Sequence, residues 1–157
     1  MNSQNILRAL FILLLATIVA TTQPSSAITT DNGPNASGEG QFRYIHVPID
    51  YAFSFDVRLN KNGKGKGWAR FDNLTDQTHI VIKIDCVRIA PFVVTMSGAV
   101  QHSDDPNFPK DIVVGFTATD NHPGFGDRIT PPFVTSDCEL DFLGLSPLTS
   151  GDIRIEP

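Results

Sequence analysis

The sequence contains few of the residues that mark metal, redox or nucleophilic sites. Its 157 residues include two cysteines and one tryptophan. Neither cysteine lies in a Cys-x-x-Cys spacing, which argues against a zinc site or a redox dithiol. The chain also lacks Gly-x-Ser-x-Gly and Ser-x-x-Lys, the common motifs around a nucleophilic serine. The sequence therefore shows no motif that specifies a reaction.

The sequence is also poor in glutamate and in basic residues. It has 14 aspartates but only three glutamates, and 12 basic residues against 17 acidic ones. Aspartate is a poor helix former and a good turn former, so this bias predicts many turns between short strands. The negative net charge argues against nucleic acid and against an anionic membrane surface as partners.

The amino-terminal segment predicts export. Residues 9–20 form an uncharged apolar run of 12 residues after Arg8, and Ala27 ends a small-residue site suited to cleavage. A retained membrane anchor is the alternative, but a spanning helix needs about 20 apolar residues. We therefore interpret residues 1–27 as a signal peptide, with a secreted product that is extracellular or periplasmic and leaves the membrane after cleavage. Residues 28–40, rich in turn formers, are expected to form a flexible leader.

The remaining segment, 41–157, alternates apolar and polar residues with the period of two that indicates β-strands. The clearest examples are 51–59, where Phe53, Phe55 and Val57 share a phase, and 79–89. Turn signals separate the strands every 8–12 residues or so, which is typical of sandwiches and barrels. We expect one all-β domain, an antiparallel barrel or sandwich of about seven to nine short strands.

The two cysteines, Cys86 and Cys138, are expected to form a disulfide, because an exported chain meets an oxidising compartment. Two buried free thiols are the alternative. Cys86 follows Ile80, Ile82 and Ile84 on the apolar phase of its strand, so we expect it to face the core.

Several short stretches, in order, resemble a group of small, uncharacterised secreted bacterial all-β proteins. The stretches are GEGQF at 38–42, FSFDV at 53–57, IDCVRI at 84–89, MSGAV at 96–100, TDNHPGFGDRI at 119–129 and GDIRI at 151–155. Such proteins are similar in carrying a paired-cysteine core, a loop closed by an aspartate and a terminal Gly-Asn-Ile-type strand. The chain departs from this pattern at His122, where glycine would be expected. The resemblance implies a secreted β-fold and no particular activity.

Trp68 is the best candidate for a ligand contact. It shares a strand phase with Lys66 and Arg70, and an outward aromatic flanked by cations can stack on a sugar or on a protein partner. The alternative is that Trp68 covers one end of a barrel while the two basic stems extend past it.

Two loops carry groups that could hold an ion. Asp120, Asn121 and Asp127 supply the hard oxygen ligands that calcium prefers, although the same residue types are ordinary turn formers. No other cofactor is indicated. A transition-metal alternative would combine His102, Asp104 and His122 from the two loops.

These observations favour a secreted, non-catalytic β-domain that binds or scaffolds an unidentified extracellular ligand or protein. The alternatives are a calcium-stabilised binding module and a small extracellular enzyme that uses loop carboxylates and histidines. The enzyme requires two or more of Asp104, Asp105, His102, Asp120 and His122 to converge in one cleft, which would follow if the loops at 101–111 and 120–128 meet. The binding module requires an exposed groove or face near Trp68.

Overall fold

The computed structural model describes residues 33–121, 126–138 and 144–157, and the predicted signal peptide at 1–27 lies outside these ranges. The described residues form nine β-strands: β1 (Asn35–Arg43), β2 (Asp50–Leu59), β3 (Gly65–Asn73), β4 (Thr78–Ala90), β5 (Val93–Ser103), β6 (Val113–Thr119), β7 (Arg128–Ile129), β8 (Phe133–Val134) and β9 (Ser146–Glu156). Among these residues, no helix has the length and apolar character needed to cross a membrane.

The strands form a closed antiparallel barrel. Each of β1 to β6 pairs with the next, β7 pairs with both β6 and β9, and β9 pairs with β1 to complete a ring of eight strands. β8 is the additional strand and pairs with β6 alone. The all-β prediction is confirmed, and the choice it left open between barrel and sandwich is decided in favour of the barrel.

The interior of the barrel is filled by apolar side chains. Phe71 and Phe116 meet edge to face with ring centroids 4.8 Å apart, and Phe55 contacts Phe116 at 5.7 Å. The β2 alternation holds: Phe53, Phe55 and Val57 are buried. Because the described side chains pack the interior, a ligand would have to bind on the outer wall or at the loops.

The first strand begins earlier than expected. The boundary at residue 40 is wrong for residues 35–40, because they belong to β1 and pair with both β2 and β9. Ala36 is fully buried and Gly38 lies between the side chains of Phe55 and Ile153. Small residues suit this crowded wall. Because they are only weakly hydrophobic, the alternation of apolar and polar residues did not indicate a strand here.

Cys86 does not face the core, contrary to the expectation from its strand phase. The β4–β5 register shifts between Ile84 and Cys86, which is a β-bulge. A bulge adds one residue to a strand and moves the following side chains to the opposite face. Val87 therefore enters the core at 6% exposure, and Cys86 is half-buried on the other face.

The disulfide holds the segment after β8 against the outer face of the barrel. Cys86 is bonded to Cys138, with a Cα–Cα distance of 5.9 Å. The segment 130–138 lies along β5 and β6: Thr130 exchanges hydrogen bonds with Thr117, and Thr95 donates to the carbonyl of Cys138 at 3.0 Å. We call residues 130–138 the outer flap. Its prolines interrupt the edge between β7 and β8, as a proline at a sheet edge should.

Candidate functional site

Trp68 lies in the middle of β3 on the outer wall, with 47% of its surface exposed. The residues on either side of Trp68, Gly67 and Ala69, face inward, and Ala69 is fully buried. The barrel-end interpretation of Trp68 is therefore wrong. The half-exposed ring at the centre of a wall is accessible to a ligand.

Trp68 forms one wall of a groove of about 450 Å³ that crosses the outer faces of β3, β2, β1 and β9. We call it the Trp68 groove. Ser54 and Ser37 lie in its lining between Trp68 and the opposite wall, which is formed by Arg154 and Asp152. The pairings Trp68–Asp56, Asp56–Ser37 and Ser37–Arg154 connect the two walls strand by strand. Three strand spacings correspond to about 14 Å.

The polar groups of the Trp68 groove are nearly balanced in charge. Arg154 Nε donates to Asp152 Oδ2 at 3.1 Å, and both side chains are more than 60% exposed. Glu39 lies opposite Asp152 in the β1–β9 pairing and adds one carboxylate to the lining. Such groups can both donate and accept hydrogen bonds without creating a strong field of one sign.

On the far side of Trp68 lies a second depression of about 450 Å³, lined in part by Lys66, Lys83, Asp56 and Arg58. The sequence expectation that Lys66 accompanies Trp68 is met in this geometry. Arg70 shares the same face, but its guanidinium binds Asp72 at 2.6 Å, and this contact raises the pKa of Arg70. Arg70 lines neither depression as described, so it is the weakest of the three expected contacts.

Sequence reasoning missed the residues that β1 and β9 contribute to the Trp68 groove. Ser37, Glu39, Asp152 and Arg154 come from the two ends of the described chain and meet only through the β1–β9 pairing. Each of these residues lies on the outward-facing phase of its strand. That alternation does not indicate which other strands lie beside β3 in the wall.

The carboxylates of Asp120 and Asp127 accept hydrogen bonds from backbone amides. Asp127 accepts hydrogen bonds from the N–H of Asn121 at 3.1 Å and from the N–H of Ile153 at 2.8 Å. Asp120 Oδ2 accepts from the N–H of Ile155 at 3.3 Å. β7 pairs with β9 only at Pro147 and Ser146, so these carboxylates replace the missing strand partner farther along β9.

No group of three or more metal-ligating side chains converges among the residues that the structure describes. The calcium interpretation of Asp120, Asn121 and Asp127 stays a prediction. The backbone hydrogen bonds of the two aspartates are a sufficient reason for their positions.

The two polar loops lie at opposite ends of the barrel. The loop at 104–112 precedes β6, whereas Asp120 follows it, so the seven residues of β6 separate them. At about 3.4 Å per residue, that separation exceeds 20 Å. His122 lies outside the described residues. Asp104 and Asp105 therefore do not share a cleft with Asp120.

His102 and Asp104 instead lie beside His79. Asp104 Oδ2 accepts a hydrogen bond from Nδ1 of His79 at 2.9 Å, and Asp104 Oδ1 accepts from the His79 backbone N–H. The backbone N–H of His79, together with the nearby imidazole, lowers the pKa of Asp104. The rings of His79 and His102 have centroids 5.0 Å apart.

Comparison of the chain with protein-family models, with curated proteins and with solved structures found no match. The resemblance to secreted bacterial β-proteins therefore stays a prediction.

Proposed function

We propose that the chain is an exported, non-catalytic β-barrel domain that binds a neutral saccharide outside the cell through the Trp68 groove. The observation that carries this proposal is the position of Trp68, which is half-exposed at mid-strand and faces a groove with a floor of small polar residues. The disulfide Cys86–Cys138 is compatible with the oxidising compartment that export implies.

The chemistry of the groove favours a saccharide over other ligands. The flat indole offers an apolar surface to the C–H face of a pyranose, while its edge remains in water. Across the floor, the Arg154–Asp152 pair and Glu39 supply charged hydrogen-bonding groups suited to hydroxyls. A span of about 14 Å between the walls exceeds one pyranose ring, so we expect a short oligosaccharide.

The balanced charge supports a neutral ligand. An anionic ligand would meet the carboxylates of Glu39 and Asp152, while a cationic ligand would meet Arg154. A purely apolar partner would leave these groups buried and incompletely paired, which is costly. A neutral polyhydroxylated molecule avoids both penalties.

Trp68 is the only tryptophan, so tryptophan fluorescence reports on the surroundings of this one side chain. We expect titration with neutral tetrasaccharides of glucose, mannose, xylose and N-acetylglucosamine to shift the emission of the folded protein to shorter wavelength for at least one of them. Isothermal titration calorimetry would give the stoichiometry, with one oligosaccharide bound per chain.

The Trp68→Ala substitution should abolish this binding while lowering the free energy of unfolding by less than about 1 kcal/mol, since the ring is half-exposed. Phe92→Ala is the matched control, because Phe92 is an exposed aromatic at 59% exposure in the β4–β5 turn, outside the groove lining. A large loss of stability in Trp68→Ala, or unchanged oligosaccharide binding, would contradict the proposal.

A further inference from the structure

The outer wall carries a second cluster outside the Trp68 groove lining, formed by His79, His102 and Asp104. His79 lies on β4 and pairs with Asp72 of β3. His102 of β5 pairs with Val81, two residues beyond His79, so both imidazoles project from the same face. We call these two side chains the histidine pair.

Asp104 orients one member of the histidine pair. Its hydrogen bond from Nδ1 of His79, at 2.9 Å, places the ring proton on that nitrogen. The lone pair of a neutral imidazole then resides on Nε2, on the opposite side of the ring. A carboxylate bound to the remote nitrogen of a histidine is the usual support of a metal-ligating imidazole, because it fixes the ring and increases its basicity.

The spacing of the two rings suits a shared ion. With metal–nitrogen bonds of about 2.0–2.1 Å and tetrahedral angles, two coordinating imidazoles have ring centroids about 5 Å apart. The centroids of His79 and His102 are 5.0 Å apart, with the ring planes tilted by 37°. The separation of the two rings is therefore compatible with both of them ligating one ion.

The surrounding charges favour a cation. Asp104 lies at the histidine pair, and Asp72 is the cross-strand neighbour of His79. Arg70 is the nearby cation, and its guanidinium is held by Asp72 through Nε and Nη2. The carboxylate of Asp104 thus adds negative charge next to the two imidazoles.

We propose that the histidine pair binds one borderline divalent transition-metal ion, Zn²⁺ or Cu²⁺, with Asp104 as the positioning residue of His79. Imidazole nitrogen is a preferred ligand of both ions. Because no third metal-ligating side chain converges with the pair in the described ranges, the remaining coordination positions go to water or to a donor on a bound molecule. The site is open and does not hold the fold together.

The test is calorimetric titration of ZnCl₂ into the full chain, carrying its disulfide and produced without a histidine tag, at pH 7.5, where neutral imidazole is available. We expect one ion per chain. With CuCl₂, the electron paramagnetic resonance spectrum should show hyperfine coupling to two nitrogen nuclei.

His79→Ala and His102→Ala should each weaken zinc binding by tenfold or more, because each removes one of two protein ligands. His46→Ala is the control, since His46 is an exposed histidine that packs edge to face on Tyr44. It should leave the affinity unchanged. Asp104→Asn should weaken zinc binding by about tenfold through loss of the oriented imidazole.

His102 is exposed, so its replacement should not alter the melting temperature and separates metal binding from folding. Wild-type affinity in His102→Ala would overturn the proposal, as would loss of binding in His46→Ala or no zinc binding by the wild-type chain at 1 mM metal. Oligosaccharide binding in these variants should be unaffected, so the failure of one proposal does not imply failure of the other.

Discussion

Gly98 is required by the close approach of β4 and β5. A Cβ atom at Gly98 would lie 1.9 Å from the carbonyl oxygen of Lys83 and 2.8 Å from Cα of Ile84. Both obstacles are backbone atoms next to the β4 bulge. They cannot rotate away as the end of a long side chain could, so the strands would have to separate.

Gly98→Ala should lower the free energy of unfolding by about 3 kcal/mol, because the added methyl group disrupts pairing between two central strands. Gly63→Ala is the control: its added Cβ has no neighbour within 4 Å, and its cost is the positive φ of 71°, about 1 kcal/mol. Urea denaturation gives both values. Equal losses in the two variants would contradict the close-approach argument.

Along the carboxyl-terminal half of β9, the carboxylate of Asp127 accepts a backbone hydrogen bond that a neighbouring strand would otherwise accept. The same carboxylate accepts from Asn121 and from Ile153, so Asp127→Ala removes the acceptors of two N–H groups. We expect a loss of about 2 kcal/mol, since hydrogen bonds to charged groups each contribute about 1.5–3 kcal/mol and this side chain is half-exposed. Thermal melts and native-state hydrogen exchange at Ile153 measure the change.

The control for Asp127 is Asp152→Ala, because Asp152 is exposed and its ion pair with Arg154 is on the surface. Its effect should be below about 0.5 kcal/mol. The same melts with added calcium and with a chelator test the calcium prediction. A higher melting temperature with calcium in the wild type, but not in Asp127→Ala, would show that the loop holds an ion as well as the β9 backbone.

At the scale of elements, the disulfide joins the outer flap to β4. The bridge closes a loop with a sequence separation of 52 residues. The chain-entropy model assigns about 4 kcal/mol to a loop of this length. Since Cys86 lies on the outer side of a strand that is otherwise bonded to β3 and β5, the flap should be the part released first when the bridge is broken.

The double substitution Cys86→Ala, Cys138→Ala should therefore lower the free energy of unfolding by about 4 kcal/mol. Hydrogen exchange should accelerate most at the flap amides of Thr130 and Thr135, which donate to Thr117 and Val113. The amide of Leu74, which follows β3 at the end away from Gly65 and donates to the carbonyl of Asp50, is the internal control. Uniform acceleration across the barrel would contradict the flap assignment.

The strands with regular alternation were the predictable elements. β2 follows its sequence pattern from Phe53 to Val57, and the turn that follows at 60–64 contains Gly63 at positive φ. β1 was partly missed because Ala36, Gly38 and Gly40 line it with small residues. The face on which Cys86 lies was predicted wrongly because a β-bulge is a property of two paired strands. The sequence of one strand alone does not show it.

At the scale of the whole molecule, barrel closure determines where ligands can reach. Phe55, Phe71 and Phe116 fill the interior, so the outer wall and the loops carry the available polar groups. The antiparallel course of β6 places the 104–112 loop and Asp120 at opposite ends. This arrangement separates Asp104 and Asp105 from Asp120 and leaves Trp68 on an open wall.

The sequence alone determined the all-β class, the phase of β2 and the presence of two cysteines able to pair, because these depend on period-two burial and on covalent chemistry within short segments. It left open whether Trp68 is an outward aromatic or covers one end of the barrel. The tertiary structure alone decided that Arg154 faces Trp68 across a groove and that His79 meets His102, since both contacts follow from strand register. Register is set by the pairing of segments distant in the chain, and no local pattern encodes it.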